Sequence, residues 1–264
     1  MNRRTVAVLA AVLLAVAGCG ADAEPRSGSP AAGGSSGSSA VTGTVTVFAA
    51  ASLTESFSAI ASKFEDAHPG LTVKLNFGAS SALALQINQG APADVFASAS
   101  PKNMTQVVAA DAATAPRIFA RNAMQIAVPP ANPGAVTGIA DLARPGVTVA
   151  LCQSQVPCGA TAQKVFDKAG ITVRPVTLER DVKSALIKVQ TNEVDAAVVY
   201  LTDVRAAGGR VKGIAIPDAL NASTDYPIAV LRAARNPAAA QAFTAYVLSG
   251  GGQEVLATAG FGKP

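Results

Sequence analysis

From residue 44 onward, short β-branched runs alternate with stretches of helical periodicity, and few folds accommodate that order. Residues 45–48 read as a strand, and Leu53, Phe57, Ile60, Ala61 and Phe64 fall at helical spacing over 53–67. "LTVKLNF", 71–77, alternates apolar and polar at period two and reads as the next strand. Residues 81–89 return to helix and "DVFAS" to strand, after which Ser100 and Pro101 open a helix as N-cap and first-turn proline. Further strands are predicted at 124–128, 147–151, 196–200, 211–216 and 228–231, and further helices at 160–169, 182–192, 237–248 and 252–259. The glycines 250–252 follow a helical stretch and read as its terminator. This order implies an α/β fold of mainly parallel sheets covered by helices. In such sheets ligands sit beyond the carboxyl ends of the strands, where helices begin.

Everything before residue 44 reads differently. Arg3 and Arg4 precede the apolar run "TVAVLAAVLLAVA", which is shorter than the roughly 20 residues of a membrane span. The run ends in "VAGC", so 1–18 reads as a secretory signal and Cys19 as the lipidated first residue of a lipoprotein. An ordinary signal with an incidental cysteine is the alternative. The Gly-, Ser-, Ala- and Pro-rich stretch 19–43 cannot bury a core and reads as a flexible tether.

Removing Arg3 and Arg4 from the 21 Lys+Arg leaves a formal charge of +2 against the 17 Asp+Glu, which is no nucleic-acid footprint. Of the three cysteines, Cys152 and Cys158 remain after Cys19. In an exported protein an even pair is a disulfide candidate, with two part-buried thiols as the alternative. The single histidine, His68, stands before a proline at a helix end and reads as a solvated loop residue. The sequence has no HExxH, GxSxG, Walker or GxGxxG pattern, and no carboxylate pair stands out. An enzyme is not the expectation.

What remains is a set of strand-to-helix junctions built from small residues. "FAAASLTE" places Ser52 before a helix, "GASSAL" places Ser80 and Ser81 before another, and "VPCGAT" and Asp181-Val182 make two more. First-turn amides are unpaired and carry partial positive charge, so such junctions can hold an anion. For Ser52 a structural reading competes, because "SLTE" fits a capping box with Ser52 as N-cap and Glu55 at N3. For Tyr200 the competing reading is a phenol bonded to a nearby carbonyl.

Taken together, "VTVFAAASLTESF", "NFGASSALALQINQGAPADVFASAS", "VPCGAT", "ERDVKSALIKV" and "DAAVVYLTD" resemble the molybdate-binding proteins of bacterial ABC importers. The resemblance runs in one order from about residue 44 to 261. It implies a two-lobed type II periplasmic-binding-protein fold, each lobe a mostly parallel sheet flanked by helices, with the ligand in the cleft between them. The implied lobes are 44–122 with 228–264, and 123–227. The implied ligand shell is Ser52 and Ser80 through hydroxyl and amide, Cys158 and Val182 through their amides, and Tyr200 through its phenol. Relatives commonly carry a small residue such as alanine at the position of Cys158. The implied protein is a monomeric, lipid-anchored, extracytoplasmic receptor. It captures molybdate, with tungstate, for the permease and ATPase of an importer. It has no cofactor, and molybdenum is present only as the bound oxyanion. Sulfate or phosphate is the alternative ligand.

Overall fold

A computed structural model describes residues 41–264. The signal, lipidation and most of the tether assigned above lie outside the described residues. Gly43 already opens the first strand, and Val41 packs against the core beneath it.

The chain builds β1 (Gly43–Ala50), α1 (Thr54–Ala67), β2 (Leu71–Gly78), α2 (Ser80–Asn88), β3 (Val95–Ala97) and α3 (Pro101–Ala109). A long strand, β4 (Arg117–Val128), then leads to β5 (Val149–Cys152), α4 (Pro157–Ala169), β6 (Thr177–Glu179), α5 (Val182–Gln190), β7 (Ala196–Tyr200), α6 (Leu201–Ala207) and β8 (Lys212–Ile214). The chain returns through β9 (Ser223–Val230) and ends with α7 (Pro237–Leu248) and α8 (Gly250–Ala259).

The strands lie in the order β2-β1-β3-β9-β4-β7-β5-β6, with β8 beside β4. Pairing is parallel among β1, β2 and β3 and among β5, β6 and β7, whereas β4 and β9 run antiparallel to their neighbours. β4 serves two sheets: residues 117–123 pair with β9, and residues 124–128 pair with β7 and β8. Each half has its own core. In the second half, β5 and β7 are buried along their whole length, as expected of strands covered by helices on both faces. In the first half, Phe57, Phe64, Phe119, Tyr226, Phe243 and Phe261 make a chain of edge-on and tilted ring contacts. Such pairs add about 0.5–1.5 kcal/mol each beyond their area.

Four expectations need correction. The glycines 250–252 do not end a helix; they open α8, and Ser249 is at once the last cap of α7 and the first of α8. A Cβ on Gly252 would come within 2.3 Å of Tyr246 O, so close backbone packing explains that glycine. β9 begins at Ser223, not Ile228, and β4 at Arg117, not Met124. By sequence alone, Pro227 and Asn122 argue against strand there. Pro227 is tolerated because it pairs with Ile118 where the register slips between Ile118 and Ala120. Ser52 does not cap α1: residues 51–53 form a 3-10 turn, α1 starts at Thr54, and no side-chain cap bond is made. Finally, His68 is half-buried, its Nδ1 2.8 Å from Phe64 O and its ring over Phe64 at 4.2 Å, so it closes the helix end rather than standing in solvent.

Candidate functional site

Ser52, Ser80, Cys158, Val182 and Tyr200 line one cavity between the two halves, together with Ala50, Ala51, Gly78, Ala79, Ala99, Val156, Pro157 and Asp181. The space open to the centre of a water-sized sphere is about 10 Å³, by that measure room for about one water. No lysine or arginine stands among the lining residues.

The free amides are positioned by helix starts. In α2, Leu83 N is the amide that reaches Ala79 O, at 2.9 Å, which leaves the amides of 80–82 without an intrahelical acceptor. In α4, Pro157 has no N–H and Ala160 N bonds Val156 O at 3.0 Å, so Cys158 and Gly159 carry the free amides. In α5, Asp181 Oδ1 accepts Ser184 N at 2.8 Å and Asp181 O accepts Ala185 N at 3.3 Å, leaving the amides of Val182 and Lys183. Asp181 is the only acidic lining residue, and its carboxylate is engaged in this cap with Arg180 Nε 3.8 Å away.

The hydroxyls are similarly prepared. Ser80 Oγ, buried, accepts Ala99 N at 2.9 Å, and since a backbone amide can only donate, the serine keeps its own proton for another acceptor. Ser52 Oγ lies 2.8 Å from the Tyr226 hydroxyl. Tyr200 ends β7 and is fully buried, and its hydroxyl has no hydrogen-bond partner among the described residues. An orphaned phenol costs about 1–3 kcal/mol, so this donor is poised for something that enters the cavity. Ala49, Ala50 and Ala51 keep the strand end low beside it.

Cys152 and Cys158 are joined by a disulfide with Cα atoms 5.8 Å apart, which ties the end of β5 to the first turn of α4. Gly159 explains how these elements come so close: a Cβ there would sit 2.2 Å from Gln153 O and 2.6 Å from Cys152 O.

A charged cluster lies just behind the site. Lys183 Nζ is 2.8 Å from Glu55 Oε2, on α1, and 3.0 Å from Asp203 Oδ1, on α6. Asp203 is wholly buried and its Oδ2 accepts Tyr200 N at 3.3 Å. Burial alone would lower the Lys183 pKa, but the carboxylates of Asp203 and Glu55 outweigh it and hold the ammonium above its ordinary value. Burial pushes the Asp203 carboxyl up, against the pull of Lys183.

Burial also raises both phenols, Tyr200 and Tyr226, above their ordinary value of 10.0. In the folded protein these tyrosines and Lys183 keep protons that the unfolded chain releases. Their contribution to stability is therefore complete below the unfolded-chain values and is lost as the pH rises through the folded ones. Thermal melts between about pH 8 and 11 are expected to show the midpoint falling steeply above about pH 10, with a shallower fall in Tyr200→Phe. A flat wild-type profile would contradict the assignment.

Sequence reasoning missed Tyr226, Asn122 and the Lys183–Glu55–Asp203 cluster. It also missed the work of Asp94 in "GAPADVF", whose buried carboxylate accepts amides of Thr46, Arg235 and Asn236 at 2.7, 2.5 and 3.2 Å and ties β1 to the start of α7. Among the described residues no cluster of His, Cys, Asp and Glu is arranged to hold a metal ion. Nor is any described helix long and apolar enough to cross a membrane.

Two α/β lobes joined by paired crossing strands, with a small donor-lined cavity between them, define the class of solute receptors with the type II periplasmic-binding-protein fold. The family model described as bacterial extracellular solute-binding protein matches residues 45–262, and the chain belongs to this family. The molybdate-binding protein ModA of Mycobacterium tuberculosis H37Rv is 41% identical over 221 residues, 83% of this chain and 85% of the relative. ModA of Escherichia coli K12 is 34% identical over 232 residues, 83% and 89% of the two chains. The solved periplasmic molybdate-binding protein of Azotobacter vinelandii superposes with a TM-score of 0.75 at 19% identity, covering 83% of this chain and 99% of that one, and shows the shared fold.

Proposed function

We propose that this protein is an extracytoplasmic receptor that captures molybdate, and tungstate with it, and delivers it to an ABC importer. The observation that carries the reading is the convergence of four element starts and one orphaned phenol on one cavity. Molybdate is a tetrahedral dianion without a proton at neutral pH, so it accepts hydrogen bonds and donates none. The proposed shell is the Ser52 and Ser80 hydroxyls and amides, the Cys158 and Val182 amides and the Tyr200 hydroxyl. Hydrogen bonds to a charged group contribute about 1.5–3 kcal/mol each, enough together to offset the lost hydration of a buried anion. Sulfate has the same charge in a smaller shell, so discrimination rests on donors set too far apart to reach it at once. The ModA relatives support the choice of ligand.

On this reading the two lobes close about β4 and β9, and closure forms the surface that the permease and ATPase complex reads. Ala51 and Ala79, from the first lobe, pack against the core of the second. Cys19 anchors the chain to the membrane as a lipoprotein, the receptor works as a monomer, and no cofactor takes part.

Calorimetry of residues 44–264 with molybdate, tungstate, sulfate and phosphate tests the reading. Binding of the first two with silence from the others is expected. Silence with molybdate while sulfate or phosphate binds would replace the ligand. Ser52→Ala and Ser80→Ala are each expected to weaken molybdate binding by about 1–3 kcal/mol, and wild-type affinity in both would remove the hydroxyls from the shell.

A further inference from the structure

We propose that Tyr226 is a positioning residue that turns the Ser52 proton toward the cavity, and thereby sets the site against oxyanions that carry a proton. This rests on the oxyanion reading above. Tyr226 lies outside the cavity lining, and its ring is held by Phe119, Tyr200 and Phe261 at 6.2, 6.1 and 5.3 Å. Its hydroxyl meets Ser52 Oγ at 2.8 Å and Asn122 Nδ2 at 3.4 Å, and Asn122 Nδ2 also donates to Thr202 Oγ1 at 2.8 Å. Ser52, Asn122, Thr202 and Tyr226 are all buried.

Proton accounting gives the direction. A phenol has one proton to donate. With Asn122 Nδ2 donating to it at 3.4 Å, the Tyr226 oxygen accepts there, and in the proposed direction its own proton goes to Ser52 Oγ. Ser52 then accepts from inside the protein and is free to turn its own proton toward the cavity. Ser80 reaches the same state by a simpler route, because Ala99 N can only donate. The Ser52 arrangement is the adjustable one, since every member except the Asn122 amide can rotate its proton, and Asn122 Oδ1 stands without a partner among the described residues. Reversing the Asn122 amide would turn the chain round: Tyr226 would donate to Asn122, Ser52 to Tyr226, and a serine lone pair would face the ligand. A fully deprotonated dianion favours the first direction. Hydrogen phosphate, which must place its own proton on an acceptor, favours the second.

Position in the fold gives the arrangement a second property. Asn122 is on β4 and Tyr226 on β9, the strands that pass between the lobes, and Thr202 is on α6 of the second lobe. The hydroxyl that faces the ligand is thus oriented from the crossing strands and not from its own turn.

The test is a double-mutant cycle read by calorimetry with molybdate and with phosphate. Tyr226→Phe keeps the ring and removes the donor to Ser52. It is expected to weaken molybdate binding about 10-fold and to narrow the ratio of molybdate to phosphate affinity by a similar factor. In a Ser52→Ala background, the same substitution is expected to change molybdate affinity by less than about 2-fold, because the residue acts through Ser52. Equal losses in both backgrounds, or an unchanged ratio, would reduce Tyr226 to a packing residue and overturn the proposal. If Tyr226→Phe does not fold, Asn122→Leu carries the same cycle with both hydroxyls in place, and the same two results decide it. A wild-type protein that binds no oxyanion at all removes the receptor reading and this inference together. An additive cycle in a protein that does bind molybdate removes the inference alone.

Discussion

Lys183→Met is expected to destabilise the protein by about 3–5 kcal/mol, the cost of leaving a buried charge without its partner. Asp203 has no exposed surface, and the Lys183 ammonium 3.0 Å away is its only counter-charge among the described residues. The amide of Tyr200, at 3.3 Å, is too long and too weak a contact to take over. Urea unfolding measures the loss. A second substitution makes the measurement specific: Lys183→Met with Asp203→Asn is expected to recover at least half of it, because the amide needs no counter-ion. A loss below about 1 kcal/mol in the single variant would mean that Asp203 is protonated in the folded protein, the direction in which its burial already pushes it. Ligand affinity is expected to fall as well, since Lys183 also joins α5 to α1 through Glu55 across the cleft.

Gly159→Ala is expected to cost about 2–3 kcal/mol of stability and to weaken oxyanion binding about 100-fold. The obstacle is backbone, Gln153 O at 2.2 Å and Cys152 O at 2.6 Å from the added carbon, so no side chain can swing aside. The disulfide restrains the first turn of α4 against β5, and the strain falls on the turn that carries Cys158, a residue of the cavity lining. Gly138→Ala, where an added carbon meets nothing within 4 Å, is the control and is expected to leave binding unchanged. Wild-type affinity in Gly159→Ala would mean that the amides of α4 are not part of the shell.

The small-residue junctions were legible in the sequence because a strand end that must admit a ligand has a local signature. Alanines, glycine and serines stand where bulk would be expected, at Ala49–Ala51 as "AAAS" and at 78–81 as "GASS". Most element positions followed from periodicity for the same local reason. What failed was whatever is decided at long range. "SLTE" is a valid capping box on paper, yet Glu55 turns to Lys183, 128 residues away, and Ser52 to Tyr226, 174 residues away. Asn122 interrupts an apolar strand pattern and so concealed the first half of β4, and only the fold supplies the partners that make its burial tolerable. Pro227 concealed the start of β9 until the register slip opposite it was visible.

The strand order also settles which parts of the protein can be finished first as the chain emerges from its N-terminus. β5, β6, β7 and β8 find all their partners among residues 124–214. β3 and the first half of β4 have no such freedom, because each must wait for β9. The second lobe can therefore complete its sheet while the first, synthesised earlier, still presents two open edges. Open edges invite pairing with other chains. For an exported protein this makes the interval between the emergence of residue 123 and that of residue 230 the vulnerable stage of its biogenesis, and β9 the segment whose arrival ends it.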